Sequence, residues 1–89
     1  MELDEDEIRM LLKRIAADRT IVHDCGPARG VRLSGYWRQR GRAMEVRMMV
    51  TAFGETEARW LSEVPSLAEA VEMVEWLAGR ILAKGVHES

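Results

Sequence analysis

Residues 31–53, VRLSGYWRQRGRAMEVRMMVTAF, alternate in side-chain character and break once, at Gly41. Val31, Leu33, Gly35 and Trp37 fall on one side of an extended chain, and Arg32, Ser34, Tyr36, Arg38 and Arg40 on the other. Past Gly41 the pattern resumes, with Met44, Val46, Met48, Val50 and Ala52 against Glu45, Arg47, Met49, Thr51 and Phe53. A period of two is that of a strand half in and half out of a core, and a glycine supplies the positive φ that a tight hairpin turn requires. The segment therefore predicts a long β-hairpin. One of its faces must be buried by something else in the chain.

That something is available at both ends. Ile8, Leu11, Leu12, Ile15 and Ala16 recur at helical spacing, behind an Asp4 to Glu7 pair of capping-box form. Glu5 with Arg9, and Arg14 with Asp18, are placed to pair one turn apart. Pro65 and Ser66 open a second helix, with Glu69 at the third position and an apolar stripe of Leu67, Ala70, Val71, Val74, Leu77, Ala78, Ile81 and Leu82. Lys84 and Gly85 predict its stop, and VHES a frayed tail. Between the first helix and the hairpin, residues 20–25 predict a strand and GPARG a loop; FGET predicts a turn into a last strand, EARWLSEV, carrying Trp60. The expected fold is α+β, of order α-β-β-β-β-α: an antiparallel three- to four-stranded sheet with the N-terminal and C-terminal helices on one face.

At 89 residues the chain is expected to form a single domain, residues 1–89, with one core. No apolar run reaches the length that spans a bilayer, and the acidic MELDEDE is the reverse of a signal peptide, so a cytoplasmic protein is expected. The lone Cys25 has no internal partner. The net charge of -2 hides a segregation: residues 1–8 sum to -5, residues 9–47 to +7 and residues 48–89 to -4. A basic middle third attracts anions in a chain whose ends do not.

Under this arrangement the hairpin's polar side forms an open face bearing Arg32, Tyr36, Arg38, Arg40 and Arg47, with Arg42 at the turn and Met49 and Phe53 projecting there too. Guanidinium groups pair with carboxylate or phosphate and stack on flat rings. Glu45 and Glu57 are available to neutralise neighbours, and exposed salt-linked arginines on a sheet often serve solubility alone. The hydrophobes among them have no such explanation. Trp76 and Met73, with Arg80, sit beside the last helix's stripe rather than in it. They form a second candidate contact, unless the first helix packs alongside and covers them.

Catalytic chemistry is harder to assemble. His23 and Cys25 share a strand side but lack a third group to orient a nucleophile, and a zinc site would have to recruit His87 from the tail. CGPARG lacks the phosphate-loop pattern, and Glu69, Glu72 and Glu75 mark a solvated helix side. No enzyme, metal or cofactor is expected. The element order is similar to that of the double-stranded-RNA-binding domain, whose sheet also carries two helices on one face. Where that family grips phosphate with lysines at the start of its second helix, this chain has PSLAEAVEMVE. The expectation is a non-catalytic protein-binding module, such as a bacterial or phage inhibitor or adaptor. Its partner would be an acidic protein surface or a second copy of itself, with nucleic acid on the same sheet face as the alternative.

Overall fold

The computed structural model describes residues 2–88, with side chains through Lys84. Its elements are α1 (Glu5–Ala17), β1 (His23–Ala28), β2 (Val31–Arg40), β3 (Ala43–Ala52), β4 (Glu55–Leu61) and α2 (Leu67–Glu88). The four strands form one antiparallel sheet in the order β1-β2-β3-β4, an α+β architecture. Both helices lie on one face, α1 over β1 and β2, and α2 over β3 and β4. No helix among the described residues is long and apolar enough to cross a membrane.

The buried face of the hairpin is the one its alternation marks. Val31, Leu33, Val46, Met48, Val50 and Ala52 pack beneath Ile8, Leu11 and Ile15 of α1 and Ala70, Val74, Leu77 and Ile81 of α2. Gly35 lies under Ile15 so closely that a Cβ there would stand 2.3 Å from Ile15 Cδ1 and 2.9 Å from Met48 Sδ. The position has room for backbone only. Two steps on, Trp37 is half-buried, donates its indole N–H to the Ile15 carbonyl at 3.0 Å and carries the Arg19 guanidinium 4.4 Å from its ring centre. The indole thereby satisfies a carbonyl of the last turn of α1, which has no partner within its own helix. Met44, assigned to the same buried side by alternation, is exposed, because the hairpin tip outruns the helices.

The caps follow the sequence with one substitution of partner. Asp4 accepts from the backbone N–H groups of Asp6 and Glu7, but its own N–H donates to the Pro27 carbonyl at 2.6 Å rather than to Glu7. The start of α1 is thus tied to β1. Arg9 pairs with Asp6 instead of Glu5, and Asp18 accepts from Thr20 instead of pairing with Arg14, the Thr20 contacts holding its carboxyl below its usual range. At α2, Glu69 N–H donates to Ser66 Oγ, the first half of a capping box, and Glu69 Oε1 accepts from the Ser66 hydroxyl instead of from the Ser66 backbone N–H.

Four boundaries differ from the sequence reading, one being the last strand, which runs over Glu55–Leu61 rather than residues 57–64. The first strand begins at His23 and runs through Gly26 and Pro27; the register slips by one residue between Cys25 and Ala28, so these two residues form a bulge instead of a loop. A buried Pro27 needs no N–H at a sheet edge, which lets the strand continue where the dipeptide suggested it would stop. The last helix passes Gly85 and reaches Glu88. Phe53 lies in the β3–β4 turn with φ of 53°, followed by Gly54 at 79°, and not on the open sheet face.

Candidate functional site

The open face of the sheet is ordered in rows, because strands β2, β3 and β4 pair without a break. Arg32, Thr51 and Thr56 form one row, Ser34, Met49 and Ala58 the next, and Tyr36, Arg47 and Trp60 the third. The first row is neutral or compensated: Arg32 pairs with Asp24 of β1, and the Thr51 and Thr56 hydroxyls share a hydrogen bond of 2.9 Å. The middle row is small at both ends. Charge and aromatic surface therefore concentrate in the third row, towards the Gly41–Arg42 turn.

Trp60 is the centre of that row. The Arg47 guanidinium, from the directly opposed residue on β3, stands 5.1 Å from its ring centre, and Arg38 reaches across from β2 to 5.2 Å. Two cations over one indole are held by its ring quadrupole, each contact worth about 0.5–1 kcal/mol at an exposed site. Arg47 also donates to the Tyr36 hydroxyl at 3.1 Å. Its Nε, inaccessible to solvent, has no acceptor among the described residues, and the inaccessible Oε2 of Glu45 has no hydrogen-bond donor among them. Glu45 faces Arg40 across 3.6 Å, so Arg40 is partly neutralised while Arg38 is not. Arg42 stands exposed in the turn.

The structure thus brings Tyr36, Arg38, Arg40 and Arg47 together, with Arg42 at their margin, and sets Arg32 apart at the other end of the face. Trp60 was absent from the residues the sequence singled out. Its face depends on the pairing of β4 with β3 across the Phe53–Gly54 turn. Glu57 corrects the earlier reading in the opposite direction. It pairs with Val50 on the helix side, where the Lys84 ammonium, and then Arg80, hold its carboxyl below the ordinary range.

The second candidate contact divides. Met73 is 4% exposed and belongs to the core, so it cannot reach a partner as a surface side chain. Trp76 is 54% exposed, with Arg80 at 4.8 Å from its ring centre. The helix α1 does pack against α2, but over the β1 and β2 side, whereas Trp76 faces β4. There it overlooks an open groove of about 790 Å³, floored by Met73 and Leu61 and bounded by Ala58, Arg59 and Pro65.

His23 and Cys25 lie on the helix side of β1, opposite Gly35 and Leu33. The His23 Nε2 is hydrogen-bonded to the Asp18 carbonyl at 3.1 Å, and burial pushes the Cys25 thiol up to about 11, which keeps it protonated at neutral pH. The His87 side chain lies outside the described residues. Among those described, no three His, Cys, Asp or Glu side chains gather closely enough to hold a metal ion.

Comparison with known protein families, with curated proteins and with solved structures gives no match to this chain. The geometry of the open face carries the functional reading alone.

Proposed function

We propose that the protein is a non-catalytic binding module, acting as an inhibitor or adaptor, whose open sheet face docks an acidic protein surface. The observation that carries this reading is the convergence of Arg38 and Arg47 on Trp60 beside the Tyr36 hydroxyl. Rigid aromatic surface with guanidinium groups held over it is what interface anchors are made of, since little side-chain freedom is lost on docking. An incoming carboxylate could take the exposed guanidinium fork of Arg38.

Single-stranded nucleic acid is the second reading, favoured by the same indole and phenol, on which a base could stack between phosphate contacts. The acidic flanks at residues 1–8 and 48–89 weigh against a long polyanion, which would have to pass them. Titration of the protein with a glutamate-rich peptide and with a mixed-sequence oligonucleotide, over a salt series, separates the two. The proposal expects the peptide to bind and Tyr36→Ala with Arg38→Glu to abolish binding. Retention of peptide binding by that double variant would refute the site, and binding of the oligonucleotide alone would exchange the two readings.

A further inference from the structure

A sheet of four strands has two edges, and this protein treats them differently. The β1 edge is closed by the Gly26–Pro27 bulge and by the Asp4 N–H, which takes up the Pro27 carbonyl. These are the devices by which natural sheets prevent unwanted pairing. The β4 edge has neither of these two, and the charges on its helix side, Glu55, Glu57 and Arg59, are of both signs. It contains no proline, glycine or bulge, pairs with β3 in unbroken register over all seven residues, and makes no backbone hydrogen bond to anything beyond β3 among the described residues. Alongside it runs the groove between β4 and α2, overlooked by the exposed Trp76.

We propose that the β4 edge pairs with the β4 edge of a second copy of this chain, antiparallel about a two-fold axis at Ala58, and joins the two sheets into one of eight strands. The sequence of β4, ETEARWL, is self-complementary about that residue. Antiparallel pairing centred on Ala58 sets Glu57 opposite the second copy's Arg59, and Arg59 opposite its Glu57, on the helix side of the sheet. On the open side it sets Thr56 opposite Trp60. Every cross-strand pair of opposite charge favours this register, and like charges meet nowhere in it. Glu57 is ionised and already oriented by Lys84, while Arg59 is exposed and has no ion-pair partner among the described residues. Joining the edges also brings the two copies of α2 towards each other across the groove, where both Trp76 side chains would fill it.

This inference rests on the edge and the groove and is independent of the sheet-face reading, but it adds to that reading. In the joined sheet the two Trp60 side chains lie four residues apart along adjacent strands, a separation of roughly 14 Å. The cationic face would then be presented twice on one surface.

The test uses charge exchange and mass measurement by light scattering across a micromolar to millimolar concentration series. The wild-type chain is expected to dimerise. Arg59→Glu places glutamates opposite each other, and Glu57→Arg places arginines so; each variant alone should dimerise at least about tenfold more weakly. Mixed together they restore both opposite-charge pairs, so a one-to-one dimer of the two variants is expected. A wild-type monomer throughout the series, or a mixture that fails to associate, would overturn the proposal. Register is read separately with Ala58→Cys in a Cys25→Ala background. Residues facing each other across the axis have Cα atoms about 4.5–5.5 Å apart, within disulfide range, so oxidation should cross-link Ala58→Cys and not Thr56→Cys. Cross-linking of Thr56→Cys alone would refute the axis.

Discussion

Replacing glycine by alanine should move stability in opposite directions at two positions of this protein, and structure alone decides the sign. Gly79 stands inside α2, and apart from its own stretch of helix no atom of the described residues comes within 4 Å of the Cβ it lacks, so Gly79→Ala meets open space. The substitution removes backbone freedom from the unfolded chain and should stabilise by about 1 kcal/mol. Gly35 also sits inside a regular element, where glycine is ordinarily a weakness. Here the added Cβ would stand 2.3 Å from Ile15 Cδ1, about 1.5 Å short of an ordinary carbon contact. Ile15 and Met48, the two side chains that must yield, are both fully buried. Overpacking of this kind costs about 1–3 kcal/mol, and with both neighbours enclosed we expect about 2 kcal/mol. For a domain of this size that is a fall in Tm on the order of 10 °C. Urea unfolding followed by circular dichroism gives both values at constant m. Ile15→Val, which deletes the offending Cδ1 and should cost about 1 kcal/mol alone, is expected to cost nothing in the Gly35→Ala background. Gly35→Ala as stable as wild type, or full additivity with Ile15→Val, would refute the claim that α1 is seated on a bare backbone patch.

Two further outcomes follow from local geometry. Phe53 holds φ at 53° in a two-residue turn whose favoured sequence is Asn-Gly, and it is 68% exposed, so Phe53→Asn should raise stability by about 1 kcal/mol in the same unfolding assay. The Cys25 thiol, raised from 9.0 to about 11 by burial, should react with iodoacetamide about a hundredfold more slowly in the native protein at pH 8 than after unfolding. Because the unfolded thiol ionises first, this group's contribution to stability is complete below about pH 9 and is lost as pH rises towards 11.

The parts of the fold that were legible in the sequence are those fixed by local rules. Helical spacing placed Ile8, Leu11 and Ile15 in the core, the Ser66 and Glu69 box set the start of α2, and period-two alternation assigned the hairpin's faces. Local rules failed where a distant partner decided the outcome. Gly26 and Pro27 read as a loop because nothing nearby shows that the Asp4 N–H will donate to the Pro27 carbonyl. Met73 read as a border residue because the stripe was judged on one helix, whereas its burial comes from β4 beneath it. Trp60 went unrecognised as the centre of the candidate site for the same reason. Its neighbours Arg38 and Arg47 are 22 and 13 positions away in sequence and meet it only through two strand registers.

The most direct test of the sheet-face account is the indole N–H resonance of Trp60, resolved from those of Trp37 and Trp76 by substitution and followed while a glutamate-rich peptide is added. Trp37 donates its N–H to α1, and Trp76 lies on the helix side, so the account predicts that the Trp60 signal moves, together with the Tyr36 and Arg47 amides, and that the Trp37 and Trp76 signals stay in place. Movement of the Trp76 signal with Trp60 unchanged would contradict it, and would put the acidic partner at the groove instead of the open face.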